Sequence, residues 1–200
     1  MGLVSRAADT YYTYRFLRLL TTKWEDLDAY ELGIIDENGK VLKKSRELRS
    51  SDEKSAYTLF HRLVFSIKRL LERFPGGKTV VGRYGAALFL IKEYTGMSDE
   101  QLGAVLDKIG VDINELQLSE SLENPPWFLL NDDEIAPGTY TLNTEAVSPV
   151  TGETIGLPSH RVIVDENTRP IGTVLETNIY CVRHADTHQE IYITSRDIHR

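Results

Sequence analysis

The spacing of apolar residues changes once along this chain, and that change constrains the fold more than any other feature. Up to about residue 110, apolar side chains recur every three or four residues, the spacing of helices that bury one face. After Pro137 and Gly138 they recur at every second residue, in short β-branched or aromatic runs typical of strands. The sequence therefore predicts an α+β fold, with helices first and strands after them.

The segment that follows Ser50 carries the strongest helix pattern. Ser50 and Glu53 have the spacing of a capping box, in which two side chains bond the free backbone N–H groups of the first turn. One continuous apolar stripe follows, and Pro75 ends it. We expect one rod of about 22 residues, roughly 33 Å long at 1.5 Å per residue, whose polar face lies in solvent.

Weaker periodic patterns predict four more helical segments, at residues 9–20, 24–32, 79–94 and 98–110. The last of them begins with a second capping box, formed by Ser98 and Gln101. Asn38 and Gly39 provide the pair of positive φ angles that a tight turn requires, so residues 34–42 are predicted to form a β-hairpin.

Five runs of β-branched and aromatic residues predict strands at residues 139–142, 160–165, 171–175, 178–183 and 190–194. Turn-forming residues separate them. Five strands over about 60 residues are too few for a sandwich, and they suit a small closed barrel. A helical turn at residues 195–198 would make this a five-stranded, Src-homology-three-like β-barrel.

The segment between the helices and the strands is acidic and contains Pro125 and Pro126, which exclude helix locally. We expect Trp127 and Phe128, which follow the two prolines, to dock on one of the flanking domains. The chain is thus predicted to contain a helical domain at residues 1–112, an acidic linker at residues 113–137 and a small β-barrel domain at residues 138–200.

The net charge of −7 is unevenly distributed along the chain. Residues 1–96 hold 17 basic and 12 acidic side chains, a net charge of +5, whereas residues 97–137 hold one basic and ten acidic, a net charge of −9. A basic part beside an acidic part indicates either electrostatic association with a partner or shielding between the two parts. The sequence leaves both open.

One glycine-rich segment resembles part of a nucleotide-binding motif, but it has a simpler explanation. Residues 76–79, with the sequence GGKT, resemble the end of a phosphate-binding loop. A helix pattern precedes them instead of a strand, and Glu72 stands where the first glycine of that loop belongs. The end of one helix and the start of the next explain these residues better.

A cysteine and two histidines lie close together near the C-terminus, yet they do not predict a metal or nucleophile site. Cys181 and His184 are an odd number of residues apart on one predicted strand, so they face opposite sides of the sheet. His184 and His188 flank a turn, where histidine is ordinarily solvated. The single cysteine also excludes an internal disulfide and fits a reducing compartment. We therefore predict no catalytic, cofactor-binding or metal-binding residues, and no enzyme.

Basic residues on and after the long helix are the candidate partner-binding residues: Arg62, Lys68, Arg69, Arg73, Lys78 and Arg83. They could contact the phosphates of a nucleic acid. An amphipathic helix with a solvated basic face explains them more simply, and the overall acidity of the chain favours that interpretation.

Three long segments carry a resemblance to a known family: YRFLRLLTTKWEDLDAYELGIIDENGKVLKK at residues 14–44, SDEKSAYTLFHRLVFSIKRLLE at residues 51–72 and GGKTVVGRYGAALFLIKE at residues 76–93. Together they resemble a family from T-even-like tailed bacteriophages, known as prohead core proteins or inhibitors of the prohead protease. The resemblance covers roughly the first half of the chain.

The resemblance implies a non-catalytic head-assembly protein, a prohead core or structural component that also restrains the prohead protease through protein–protein contacts. Its partners would be capsid, scaffold and protease subunits or a second copy, with no membrane, in the host cytoplasm and in the prohead or virion. Prohead proteases of such phages cut after Leu/Ile-x-Glu. Glu115 and Glu120, in the acidic segment, are therefore candidate processing sites, although so short a motif also recurs by chance.

The residues also allow a second functional class. The basic helix face and the barrel would suit a nucleic-acid-binding or DNA-packaging accessory protein. Salt dependence alone does not separate this alternative from head assembly, since both rely on exposed charges.

Overall fold

Helices occupy the first part of the chain, as the periodicity predicts. The structure is a computed structural model that describes residues 3–73, 81–111 and 126–200. Over those ranges the α-helices are α1 (Leu3–Thr21), α2 (Asp28–Glu31), α3 (Ser51–Ala56), α4 (Leu59–Arg73), α5 (Val81–Thr95) and α6 (Asp99–Lys108). Short 3-10 turns lie at Trp24–Asp26, Ser45–Glu47 and Asn131–Asp133.

The predicted single rod after Ser50 is wrong in one respect, because it consists of two helices, α3 and α4. The chain leaves the helical conformation at Tyr57, with φ −136° and ψ 51°. In a continuous helix the carbonyl of Tyr57 would accept from the backbone N–H four residues later. Here Nη1 of Arg62 donates to it instead, at 2.9 Å. A side-chain donor has thus replaced a backbone donor at the break.

Both predicted capping boxes are confirmed. Ser50 Oγ accepts from the backbone N–H of Glu53 at 3.0 Å, and the carboxylate of Glu53 accepts in return from the N–H of Ser50 at 3.1 Å. Ser98 and Gln101 make the same exchange at the start of α6. The predicted hairpin at residues 34–42 is a tight loop with one antiparallel bridge.

The second part of the chain forms antiparallel strands, and each of the five predicted runs overlaps one of them. Over the described residues the strands are β1 (Gly138–Leu142), β2 (Ala146–Val147), β3 (Thr154–Gly156), β4 (Arg161–Val164), β5 (Gly172–Val174), β6 (Thr177–His184), β7 (Glu190–Ile193) and β8 (Ile198–His199). The main sheet has the order β5-β6-β4-β1-β8, with β7 also paired to β6. Strands β2 and β3 form a separate hairpin.

Two features of the predicted barrel need correction. The predicted helical turn at residues 195–198 is a turn that leads into β8, because Ile198 is buried and pairs with Leu142 of β1. The strands that the structure describes do not close into a five-stranded barrel, since their order ends at β5 and β8. Helix α5 packs against β2, β5, β6 and β7 and covers that side of the strands. Residues of β1, β4, β6, β7 and β8 form a second buried apolar cluster among the strands themselves.

Helix α5 joins the two parts of the chain. Its residues 86–91 are all buried, which is the pattern of a helix covered on every side. One apolar cluster includes residues of α1, α4, α5 and α6 together with Val147, Val174 and Ile179 from the β-rich part. The helices and the β-rich part therefore share this cluster. The predicted domain limits at residues 112 and 138 stay a prediction.

The second half of the predicted acidic linker packs on the sheet. Phe128 is buried, with its ring 5.1 Å from that of Tyr140, and Ile135 is buried and bridges to Thr168. Docking is thus confirmed for Phe128, whereas Trp127 stays 69% exposed. The candidate processing residues Glu115 and Glu120 lie outside the described residues.

We expect Leu63→Ala to lower the free energy of unfolding by about 2–5 kcal/mol, because Leu63 is fully buried in the shared cluster and its loss leaves a cavity. Urea unfolding checks this. Leu42 is an exposed leucine and a matched control, for which the same substitution should cost under about 0.5 kcal/mol. Equal losses for the two variants would contradict the assignment of the core.

Candidate functional site

Arg62 joins α4 to the loop between β2 and β3. Its Nε donates to the backbone carbonyl of Thr151. The loop passes very close to the helix, because Gly152 has a φ of 67° and a Cβ there would lie 2.7 Å from Leu59 Cδ1. Burial lowers the pKa of Arg62, and the nearby carboxylate of Glu153 opposes that shift. The side chain therefore fixes the loop against the helix.

Lys68 holds the end of α1 on α4. The residue is 4% exposed, and its Nζ donates to the carbonyls of Leu20, at 3.3 Å, and Thr22. These carbonyls lie at a helix C-terminus, where they lack backbone donors and carry partial negative charge. The buried cation therefore donates to them and interacts favourably with the helix dipole. Nζ also lies 4.7 Å from the centre of the Trp24 ring. Burial lowers the pKa of Lys68, while Glu72 raises it.

Arg69 holds the loop that contains the 34–42 turn. Its Nη1 donates to the carbonyl of Gly39 at 2.9 Å, and Nη2 donates to Ser66 Oγ at 3.1 Å. Gly39 has a φ of 70°, and a Cβ there would lie 2.5 Å from an atom of the Trp24 ring. The loop can therefore lie flat on that ring only with glycine at this position.

The three described cations of α4 thus bind carbonyls of three different segments. The expectation of a solvated basic face is wrong for Lys68, which is buried, and Arg62 and Arg69 are only partly exposed. The remaining candidates, Lys78 and the side chains of Arg73 and Arg83, lie outside what the structure describes. Partner binding by all six residues stays a prediction.

A cleft of about 990 Å³ lies between α4, the loop at residues 36–46 and the hairpin at residues 145–157. Its floor includes Arg62 and Arg69. The backbone N–H of Ser45 donates to Glu153 Oε1 at 2.9 Å, which ties the two walls together. The α4 contacts with both walls are what set the position of this cleft.

The charged groups that line the cleft divide into two kinds. Lys40, Lys44 and Arg46 are exposed, and over the ranges that the structure describes no ion pair joins them to an acid. Two of the carboxylates already serve the fold: Asp36 accepts from two backbone N–H groups of its own turn, and Glu72 accepts from the Trp24 indole at 2.7 Å. The arrangement provides unpaired cations at a groove, which is the chemistry of an anion-binding surface.

His61, which the sequence analysis did not single out, is a buried neutral histidine between α1 and α4. Nη2 of Arg15 donates to His61 Nε2 at 3.0 Å, so Nε2 carries no proton. Thr58 contacts the other ring nitrogen: its Oγ1 lies 2.8 Å from Nδ1, and its backbone nitrogen lies 3.3 Å from the same atom. Burial, followed by the charge of Arg15, lowers the pKa of His61 to about 4.

The histidine next to the last turn is also buried, so the expectation of a solvated His184 is wrong. His184 is 2% exposed, and its Nδ1 accepts from the backbone N–H groups of Asp186 and Thr187. Its Nε2 therefore carries the proton and donates to His160 Nδ1 at 2.9 Å. The turn folds back onto this side chain, which removes it from solvent.

Cys181 lies on the other face of β6 from His184, as predicted, since burial alternates along this strand from Tyr180 to His184. Burial, followed by the charge of Glu190, raises the pKa of the Cys181 thiol to about 11. Among the residues that the structure describes, no three His, Cys, Asp or Glu side chains gather as metal ligands would.

Comparison with protein families, with curated proteins and with solved structures returned no match for this chain. The resemblance of residues 14–93 to phage prohead proteins therefore stays a prediction. Among the helices that the structure describes, none has both the length and the apolar character needed to cross a membrane.

We expect Lys68→Met to lower the free energy of unfolding by about 1–3 kcal/mol, because the carbonyls at the end of α1 lose a buried donor. Lys54 is exposed, and Lys54→Met should cost under about 0.5 kcal/mol. Urea unfolding of both variants measures the difference. A Lys68 variant as stable as the Lys54 variant would show that the contact does not hold α1 in place.

We expect the stability of the protein to fall with acid partly through His61. The pKa of His61 is about 4 in the folded protein, against an ordinary value of 6.5 in the unfolded chain. Its contribution to the free energy of unfolding is therefore complete above pH 6.5 and is lost as the pH falls towards 4. In His61→Gln, the free energy of unfolding should depend less steeply on pH across this window. His188→Gln, at an exposed site, should keep the wild-type slope. Identical slopes in the wild type and His61→Gln would contradict the assignment.

Proposed function

We propose that this protein is a non-catalytic bacteriophage head-assembly protein, a prohead core or structural component that acts through protein–protein contacts. The resemblance of residues 14–93 to T-even-like prohead core proteins and prohead-protease inhibitors supports the proposal. Its partners are capsid, scaffold and protease subunits in the host cytoplasm and in the prohead or virion. Restraint of the prohead protease is part of the same proposal.

The structural observation that carries the proposal is the cleft. Its unpaired cations lie on one wall, and its second wall comes from a different part of the chain. The positive charge of the groove is therefore concentrated on one side. Charged groups arranged in this way steer the association of proteins and select the correct partner. These charges support the cleft, rather than the outer face of α4, as the proposed contact with a partner.

Nucleic-acid binding remains the second candidate, because unpaired cations also attract phosphate. The cleft disfavours it, since Asp36, Glu72, Glu145 and Glu153 also line the groove and would repel a chain of phosphates. The likeness of the sheet to a Src-homology-three-like barrel stays a prediction and carries no part of the proposal.

The test is a pull-down of the tagged protein from phage-infected cells, with nuclease added to remove bridging nucleic acid. We expect capsid, scaffold or protease subunits to remain bound, because protein–protein contacts do not depend on nucleic acid. Recovery of DNA or RNA without head proteins, in a parallel sample without nuclease, would contradict head assembly.

A peptidase assay of the prohead protease then measures whether the protein inhibits cleavage. Undiminished cleavage at excess protein would remove the inhibitor role and leave the structural one.

A further inference from the structure

We propose that the cleft binds an extended acidic peptide segment of a partner protein, whose carboxylates are held by Lys40, Lys44 and Arg46. The inference rests on the proposed function only in taking the partner to be a protein. It adds the location of the contact and the chemistry of the segment that is recognised.

The charge of the ligand follows from the charges of the cleft residues and from their lack of ion-pair partners. Lys40, Lys44 and Arg46 lie within seven residues of one another on the same wall, are exposed, and have no acidic partner in the described part of the chain. Asp36 on the same wall keeps its negative charge, but its carboxylate accepts from backbone N–H groups of its own turn, and three cations outnumber it among the lining residues of this wall. The uncompensated charge on this wall is positive, so the ligand segment that it attracts is acidic.

The class of ligand follows from the acids in the same groove. A peptide has backbone N–H groups that can donate to a carboxylate such as Glu153, and such bonds offset the repulsion between the carboxylates of the groove and those of the ligand. The phosphate backbone of a nucleic acid has no donor groups, so it cannot offset the repulsion of these carboxylates in this way. The mixture of cations and carboxylates in one groove therefore fits a peptide better than a phosphate backbone.

The conformation of the ligand follows from the hairpin wall. Thr154 and Ile155 of β3 line the cleft, and within the described residues β3 pairs with β2 alone. A strand with one unpaired edge offers backbone donors and acceptors to an extended peptide. An extended segment can bond this edge while its side chains reach the opposite wall.

Exposed apolar residues at the cleft add a second element of recognition. Leu157 lines the cleft and is 47% exposed, while Leu42 and Val150, next to lining residues, are 58% and 79% exposed. Protein interfaces combine apolar side chains with charged ones at the rim. We therefore infer that the acidic positions of the bound segment alternate with apolar ones.

The experiment measures binding of a fluorescein-labelled peptide of about ten residues, with alternating Glu and Leu, by fluorescence anisotropy. The expected result is saturable binding that weakens about tenfold or more when every Glu is replaced by Gln. The double variant Lys44→Glu/Arg46→Glu should lose a similar factor. The matched control, Lys23→Glu/Lys54→Glu, has the same net charge but changes exposed lysines outside the cleft lining, and should bind within about twofold of the wild type.

Two results would overturn the inference. The first is equal loss, or no loss, of peptide binding in the cleft variant and in the control variant, with all proteins folded by their melting temperatures. The second is tighter binding of a labelled oligothymidylate at the same residues, which would assign the cleft to nucleic acid.

The pull-down from infected cells separates this inference from the proposed function. If head proteins bind the cleft variant as well as they bind the wild type, the cleft is not the binding site, and the proposal of head assembly is unaffected. Peptide binding with the predicted variant pattern, but without head proteins in the pull-down, would contradict head assembly and support the cleft.

Discussion

Backbone carbonyls that helices and strands leave without donors are the groups on which the packing of this protein depends, and helix α4 supplies donors for them. Arg62 bonds the β2–β3 loop, Lys68 bonds the end of α1, and Arg69 bonds the turn at residues 34–42. A buried carbonyl without a donor costs about 1–3 kcal/mol. The three segments therefore meet α4 at fixed positions, and two of them become the walls of the cleft.

This arrangement explains why some cations bond the fold and others remain exposed at the cleft. Arg62, Lys68 and Arg69, the cations of α4 whose side chains are described, are engaged by the fold, and Lys68 is buried away from a partner. Those of the 36–46 loop stand on a wall that α4 has fixed, without an acid to neutralise them in the described residues. A rigid groove with unpaired charge loses little conformational freedom when a partner binds, which favours recognition of a flexible acidic segment.

Features that depend on neighbouring residues could be predicted from the sequence, and features that depend on distant residues could not. The capping boxes at Ser50 and Ser98 require only a side chain three residues away, and both are present. The break at Tyr57 is partly caused by a near neighbour, Arg62, but that arginine is oriented by a loop about 90 residues further on. The cleft could not be predicted at all, because its walls come from segments more than 100 residues apart. The unbroken apolar run at residues 86–91 was an available sign that α5 is covered on both sides.

The most direct measurement is hydrogen–deuterium exchange of the protein with and without the alternating Glu-Leu peptide. Our account predicts slower exchange of backbone amides in residues 36–46 and 153–157, because the peptide covers one wall and bonds the edge of the other. It predicts unchanged exchange in α6, which lies outside the cleft lining. Protection confined to other surfaces, with both walls of the cleft exchanging as in the free protein, would contradict it.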